Sequence, residues 1–498
     1  MKELSQGNVV LVRFTAFIMD AFLGMQVLFA VPILLAHEPS ALSRGQITAT
    51  VVCTAEPSQS YALYLPSNYT ADRRWPILYA FDPAARGRVA VETFQEAAEK
   101  CGYIVVGSNN SRNGPWEPNL AAIRALWTDT HTRFSLDERR IYTTGFSGGA
   151  RVAVSIGEAL TGQVAGVIAC GAGFPLAPSQ KPGKGTPFVF FATAGIRDFN
   201  FRELRELDKT LASLGLTHRL EVFNGGHQWA PKELAAEALE WMEIQAMKSG
   251  RRDKDDSWVA AIYAAHWDKA RRLDESGDIA QAFHHYEELA ADFQGLRDVS
   301  EAEARLRDMK GSKVLDKALK LEKKREARIA SLESDYDENF NRVMAEILGP
   351  SSGEHERRQA MRALRLREFQ QLETNKKDTP ESIAAERYVR GVLVHVMEEG
   401  TTSMNSGDFT RAKIDLEIAA ECAPDNGFVL YQLARAYALS KDKRSALSTL
   451  RRSVENGFSD LDELEKNPDF ASLRGEPGYA GTIAMLKKRW VLSSPVPH

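Results

Sequence analysis

The sequence is poor in the residues that build disulfide frameworks and metal centres. It has four cysteines in 498 residues, and none of them belongs to a C-x-x-C pair. No H-E-x-x-H motif is present, and the adjacent His284 and His285 face different directions on a predicted helix, so they would chelate one metal ion poorly. We therefore expect no metal centre. A disulfide between Cys53 and Cys101, or separate buried thiols, remain as alternatives.

The chain has no marked excess of charge of either sign. Its 63 Lys and Arg residues against 67 Asp and Glu residues give a formal net charge of −4. Such a balance provides no broad basic field for phosphates, so nucleic acid is not an expected partner. With 44% apolar and 26% charged residues, the composition is typical of a soluble globular protein, and the length predicts two or three domains.

The N-terminal segment has the pattern of an export signal. Basic residues precede an apolar run that ends in small residues near Ala36 and Ala41. Asp20 interrupts the run, and a carboxylate at the centre of a membrane costs roughly 2.5 to 3.5 kcal/mol on insertion scales. We expect residues 1–41 to be a cleaved signal peptide of a periplasmic or secreted protein; an N-terminal membrane anchor and a buried helix are the alternatives.

Residues 47–248 alternate between strand-like and helix-like segments. Two opening segments have the period-2 pattern of a strand pair, and the later β-rich runs are apolar at successive positions, as strands buried on both faces must be. Strands that alternate with helices imply a mostly parallel sheet with helices on both sides. The predicted fold class is therefore α/β, with eight strands that open on a hairpin.

The rest of the chain reads as helix. Residues 249–380 form a helical region with a charged connector, and residues 381–498 contain an internal repeat with an offset of 34 residues. That offset is the period of tetratricopeptide helix pairs, so we expect an all-α helical-repeat domain; an ordinary helical bundle is the alternative. The repeat aligns Asp408 with Asp442, Ala412 with Ala446, and Leu416 with Leu450.

One stretch of the α/β region carries a G-x-S-x-G motif, at Gly145 to Gly149. A predicted strand precedes the motif and a predicted helix follows it, as this motif requires. Glycine is expected at both ends because side chains there would collide in so tight a turn. The turn would expose the hydroxyl of Ser147 and aim the N–H of Gly148 at a developing oxyanion. A turn built only for tight packing is the alternative.

Two further residues have the chemistry and the position to activate this serine. A serine hydroxyl needs a base, and His227 lies in a glycine-flanked loop after the last predicted strand. Asp198 follows the preceding strand and can orient the imidazole. The order Ser147, Asp198, His227 is that of α/β-hydrolases and differs from the other well-known serine hydrolase orders. A merely structural His227 is the alternative.

The loop after the third strand is the expected source of a second oxyanion donor. Pro83 has no N–H to give, so the candidates are the backbone N–H groups of Asp82 and Ala84. Asp82 is alternatively a turn cap. Trp116 and Trp229 are candidate walls of an acyl or aromatic pocket, with ordinary packing as the alternative.

Over residues 47–248 the chain resembles the α/β-hydrolase superfamily, in particular its esterase and dienelactone-hydrolase-like branch with the polyhydroxybutyrate-depolymerase-like proteins. The resemblance rests on "GFSGGA", "AGIRDFNF" and "NGGHQW". It implies cofactor-free cleavage of carboxylic esters or thioesters through an acyl-serine. It further implies that Ser147 is the nucleophile, His227 the base and then the acid, Asp198 the orienting group and Gly148 an oxyanion donor. The H-G-G-G motif of lipase-like members is absent.

The sequence thus favours an exported serine hydrolase of carboxylesterase type that acts on a small-molecule or polymeric ester. Residues 388–460 more loosely resemble tetratricopeptide repeats, whose groove would bind a protein or peptide partner. A serine peptidase of the prolyl-oligopeptidase type is one alternative, although no β-propeller precedes the domain. A non-catalytic interaction scaffold is the other.

Overall fold

The computed structural model divides the chain into two compact units, Met1–Glu322 and Lys323–His498. It describes residues 42–175, 177, 180–347, 359, 361–374 and 378–493. The predicted export segment, residues 1–41, lies outside the described residues. Among the helices that are described, none is long and apolar enough to cross a membrane.

An eight-stranded sheet forms the centre of the first unit. The strands are β1 (Ile47–Val52), β2 (Ser60–Tyr64), β3 (Trp75–Phe81), β4 (Ile104–Ser108), β5 (Leu136–Phe146), β6 (Val164–Cys170), β7 (Val189–Gly195) and β8 (His218–Phe223). They lie in the order β1-β2-β4-β3-β5-β6-β7-β8. The pairs β1–β2 and β2–β4 are antiparallel and the other pairs are parallel. The mostly parallel sheet that opens on a hairpin is therefore confirmed.

Helices cover both faces of this sheet. They are α1 (Gly87–Cys101), α2 (Trp116–Arg133), α3 (Gly148–Ala159), α4 (Phe201–Leu214) and α5 (Lys232–Lys248). Along β3 the side chains alternate, so Ile77 and Tyr79 join the core beneath α2, α3 and α4. Leu78 and Ala80 join the core beneath α1 and α5. Burial of both faces explains why the central strands are apolar at successive positions.

Three more helices belong to the first unit, and one of them, α7, bonds to a side chain of the edge strand β8. They are α6 (Asp256–Ser276), α7 (Ile279–Phe293) and α8 (Ser300–Lys310), and the charged connector is α9 (Lys313–Ile347). Arg219 of β8 donates to Asp292 Oδ2 of α7 at 2.6 Å. Trp241 Nε1 donates to the other oxygen of Asp292 at 3.0 Å. These contacts attach the helical extension to the sheet edge from which the His227 loop departs.

The second unit consists of helices. They are α10 (Leu366–Thr374), α11 (Pro380–Ser406), α12 (Phe409–Cys422), α13 (Gly427–Leu439), α14 (Lys443–Glu455), α15 (Leu461–Lys466), a 3-10 helix (Pro468–Leu473) and α16 (Pro477–Ser493). Consecutive long helices pack as pairs, α11 with α12 and α13 with α14. This architecture confirms the expectation of an all-α domain after the α/β region.

The 34-residue offset relates equivalent positions of these two helix pairs. Asp408 caps α12 by accepting from the N–H of Arg411 at 3.0 Å, and Asp442 caps α14 by accepting from the N–H of Ser445 at 3.1 Å. The aligned alanines and leucines are fully buried; they are Ala412, Ala446, Leu416 and Leu450. The repeated residues are therefore those that begin the second helix of each pair and seat it against the first.

A close approach of backbones fixes where α1 begins. A Cβ atom added at Gly107 of β4 would lie 2.2 Å from the carbonyl oxygen of Gly87, the first residue of α1. We therefore expect Gly107→Ala to lower the free energy of unfolding by about 1–3 kcal/mol, as overpacking does. The measurement is the midpoint of urea-induced unfolding. The control is Gly183→Ala, because a Cβ atom there meets nothing within 4 Å; equal midpoints for the two variants would contradict the prediction.

Candidate active site

Ser147 stands in a strained turn between β5 and α3. Its φ of 53° and ψ of −122° lie where residues other than glycine rarely occur, a conformation that costs on the order of 1–3 kcal/mol. A Cβ atom at Gly145 would lie 2.1 Å from the carbonyl oxygen of Gly149, and one at Gly149 would lie 2.0 Å from that of Phe81. The expectation that both positions require glycine is confirmed. The turn has the strand–turn–helix geometry of the elbow that G-x-S-x-G motifs form.

Asp198 and His227 form a hydrogen-bonded pair at the carboxyl ends of β7 and β8. His227 Nδ1 donates to Asp198 Oδ1 at 2.9 Å, and the same oxygen accepts from the N–H of Asn200 at 2.8 Å. Asp198 is completely buried, whereas the His227 side chain is 17% exposed. The rings of Phe199 and Phe146 flank the imidazole at centroid distances of 4.2 and 4.5 Å. Because Nδ1 is bonded to Asp198, Nε2 is the ring nitrogen that can act as a base.

The segment after β6 brings Ser147 close to this pair. The N–H of Ser147 donates to the carbonyl oxygen of Cys170 at 2.8 Å. A Cβ atom at the next residue, Gly171, would lie 3.2 Å from His227 Cε1 and 3.1 Å from Asp198 Oδ2. Among the described residues the Ser147 hydroxyl has no hydrogen-bond partner, so it makes no hydrogen bond to His227 in this structure. Such bonds are often long without substrate and tighten when it binds.

The Asp82 carboxylate anchors the loop after β3. It is completely buried and accepts from the N–H of Ala84 at 2.9 Å and from Trp229 Nε1 at 2.9 Å. Arg86 adds two bonds, from Nε at 2.8 Å and Nη2 at 2.9 Å. Burial alone would raise the pKa of Asp82, but the hydrogen bonds from Arg86 and Trp229 hold it below its ordinary value.

The loop after β3, residues 82–86, offers the N–H groups of Asp82 and Ala84 as candidate oxyanion donors, and these bonds distinguish between them (we call this loop the oxyanion loop). The N–H of Ala84 is engaged by the Asp82 side chain. The backbone nitrogen of Asp82 lies beside the elbow, 3.2 Å from where a Cβ atom of Gly149 would be. Gly148 is the first residue of α3, where the N–H groups have no partner within the helix. The N–H groups of Gly148 and Asp82 are therefore the two backbone candidates for an oxyanion site.

The two predicted pocket tryptophans belong to different faces of the sheet. Trp116 begins α2, half-buried, and packs against the core beneath α2, α3 and α4. Trp229 is buried in the core beneath α1 and α5, with its indole N–H bonded to Asp82. The two rings thus pack into different cores, and their role as walls of a pocket stays a prediction. Trp229 ties the loop that carries His227 to the loop after β3.

Two features near Ser147 have no signal in the sequence. Arg151, one turn along α3, makes a bidentate pair with Glu203 of α4 at 3.0 and 2.8 Å and donates to the carbonyl oxygen of Phe174 at 2.6 Å. This pair holds the chain that follows β6. The second feature is Asn113, whose side chain lies against Gly148. Both depend on contacts between distant segments, which motif spacing does not reveal.

Within the described residues, no group of three or more His, Cys, Asp or Glu side chains is placed to hold a metal ion. What the site can do chemically is nucleophilic catalysis. A strained, half-exposed serine follows Phe146, whose ring lies 4.5 Å from an imidazole with one nitrogen fixed by a buried carboxylate. That is the arrangement in which a histidine removes the proton of a serine hydroxyl.

Comparisons with known proteins find similarity only in solved structures; no family model and no curated protein matches. S-formylglutathione hydrolase (FrmB) from Staphylococcus aureus is 13% identical, with 40% of this chain and 98% of that chain covered and a TM-score of 0.32. Propionate-bound Est2 from Thermogutta terrifontis is 14% identical, with 41% and 96% covered and a TM-score of 0.33. A ferulic acid esterase is 17% identical, with 39% and 95% covered and a TM-score of 0.32. The strand order, the helices on both faces and the elbow give the first unit the α/β-hydrolase fold.

The Asp198–His227 pair generates a prediction about the reactivity of Ser147. In Asp198→Asn the amide cannot hold the Nδ1–H tautomer, so labelling of Ser147 by a fluorophosphonate probe should slow by about 10³- to 10⁴-fold. A matched control exists because the α/β unit contains a second Asp–His pair, in which His218 Nε2 lies 3.3 Å from Asp208 Oδ1. Asp208→Asn should label at the wild-type rate. Equal labelling of both variants would contradict the role of Asp198.

Proposed function

We propose that the α/β unit is a serine hydrolase that cleaves carboxylic esters, or thioesters, through an acyl-serine intermediate. The observation that carries the proposal is the 2.9 Å bond between His227 Nδ1 and Asp198, formed next to the strained turn of Ser147. A buried carboxylate that fixes one imidazole nitrogen prepares the other to accept a proton. Strain at the serine holds its hydroxyl out of the adjacent helix and available to a substrate.

In the first half of the reaction, Ser147 Oγ attacks the acyl carbon while His227 Nε2 takes the hydroxyl proton. The carbonyl oxygen gains the electron pair and becomes an oxyanion, which the N–H groups of Gly148 and Asp82 hold. When the tetrahedral intermediate collapses, the bond to the alcohol or thiol breaks. His227 returns its proton to that leaving group, and the acyl group remains on Ser147.

In the second half of the reaction, water is the nucleophile and Ser147 is the leaving group. His227 removes a proton from water as the water oxygen attacks the acyl carbon, and the same oxyanion site holds the second intermediate. Collapse breaks the bond to Ser147 Oγ, which recovers its proton from His227. The carboxylic acid leaves, and no cofactor is consumed. Asp198 keeps its proton partner on Nδ1 throughout, since it stabilises the imidazolium without being protonated itself.

We also propose that the helix pairs of the second unit bind a protein or peptide and that residues 1–41 direct export. The repeat of capping aspartates and buried alanines supports the first proposal, because stacked helix pairs form extended concave surfaces. The basic residues, the apolar run and the small residues that end it support the second.

The test of the hydrolase is turnover of p-nitrophenyl esters from acetyl to long acyl chains. Ser147→Ala and His227→Ala should each lose about 10⁶-fold in kcat, close to background, because the three residues act as a unit. Ser213→Ala, an exposed serine on α4, is the control and should keep wild-type activity. An optimum at one chain length would size the acyl pocket. Near-background rates that are equal in wild type and Ser147→Ala would contradict ester hydrolysis.

A further inference from the structure

The oxyanion site of this chain has few backbone donors. Pro83 has no N–H, and the N–H of Ala84 is already bonded to the Asp82 carboxylate. The N–H groups of Gly148 and Asp82 are the two candidates at the elbow, and the loop lacks the H-G-G-G motif that adds backbone donors in lipases and esterases. A side-chain donor at this place would therefore add to the stabilisation of an oxyanion.

The loop between β4 and α2 is joined to the oxyanion loop by backbone contacts. The N–H of Asn113 donates to the carbonyl oxygen of Pro83 at 2.8 Å. Next to it, Ala84 and Arg112 form an antiparallel bridge. On the other side of the loop, Asn119 accepts from the N–H of Arg112 at 2.9 Å. These bonds fix the backbone of Asn113 at the end of the oxyanion loop.

The Asn113 side chain fills the space that a side chain on Gly148 would occupy. A Cβ atom at Gly148 would lie 1.8 Å from Asn113 Oδ1, 2.8 Å from Cγ and 3.3 Å from Nδ2. The carboxamide thus rests on the residue that follows Ser147. This contact gives a reason for glycine at position 148, since any larger residue would displace the amide. It also places both polar atoms of the amide within 3.3 Å of the Cβ position of Gly148, the residue whose N–H is a candidate oxyanion donor.

No hydrogen bond to a described residue fixes which end of the Asn113 amide, Oδ1 or Nδ2, faces Gly148. Among the described residues it has no hydrogen-bond partner, and Asn113 is exposed to solvent. Rotation by half a turn about the Cβ–Cγ axis exchanges Oδ1 and Nδ2 without moving the rest of the side chain. When negative charge develops next to Gly148, the orientation in which Nδ2 faces that charge is favoured, because Nδ2 carries the hydrogen atoms.

We propose that Asn113 Nδ2 donates a hydrogen bond to the oxyanion of the tetrahedral intermediate, as a catalytic residue beside the N–H groups of Gly148 and Asp82. The inference rests on the proposed hydrolase function. A neutral amide held by its own backbone costs little to orient and strengthens its hydrogen bond as the carbonyl oxygen becomes charged. Its effect therefore belongs to the transition state and not to the binding of the ester.

The test is the kinetics of p-nitrophenyl acetate hydrolysis by Asn113→Ala and Asn113→Asp. In Asn113→Ala, kcat should fall by about 10²- to 10³-fold with little change in KM, as when one oxyanion donor is removed. Asn113→Asp keeps the shape of the side chain but cannot donate when ionised and repels the oxyanion, so it should be at least as slow. It also decides the question if the alanine variant does not fold.

The control is Arg112→Ala, which leaves the backbone contacts of the loop in place and should keep kcat within about twofold of wild type. Wild-type kcat in Asn113→Ala, or an equal fall in Arg112→Ala, would overturn the role of Asn113. Fluorophosphonate labelling separates this outcome from failure of the proposed function. If wild type is labelled at Ser147 while Asn113→Ala keeps full kcat, only the Asn113 inference fails. If wild type is neither labelled nor active, the hydrolase proposal fails and the inference fails with it.

Discussion

The buried carboxylate of Asp82 is the interaction on which the geometry of the site depends. An ionised group without solvent must have its hydrogen bonds satisfied, and removal of a partner leaves a costly buried charge. The donors come from two segments: the loop after β3, at Ala84 and Arg86, and the His227 loop, at Trp229. One carboxylate therefore holds the loop after β3 and the loop of His227 in a single arrangement, although 147 residues separate Asp82 from Trp229.

The parts of the site that follow from local chemistry could be predicted from the sequence. Glycine at position 145 is required by a backbone contact within one strand–turn–helix unit, and glycine at position 149 by the end of the neighbouring strand β3; the motif shows both positions directly. The pairing of Asp198 with His227 follows almost as directly, because both residues come just after strands of a parallel sheet and such strands end at one edge. Short-range sterics and chain order were sufficient for these residues.

The parts that depend on contacts between distant segments could not be predicted. Trp229 has the sequence context of a pocket wall, yet the fold turns its indole N–H onto Asp82 and its ring into the core beneath α1 and α5. Asn113 looks like any polar loop residue until two loops pair and place it on Gly148. Arg151 and Glu203 look like exposed helix charges until the fold brings the two side chains together. In each case the partner, not the residue type, determines the role.

The helices that follow the sheet also depend on contacts between distant segments. The change in composition near residue 249 marks the last strand-forming sequence, but β8 is an edge strand with a buried arginine. Arg219 is 9% exposed, and its ion pair with Asp292 of α7 lies at 2.6 Å. Without α7 this guanidinium would lose its bond to Asp292 and would keep Glu221 of β8, at 3.7 Å, as a more distant carboxylate. Because the chain runs from β8 directly into the His227 loop, the helices after the sheet support the strand that positions His227.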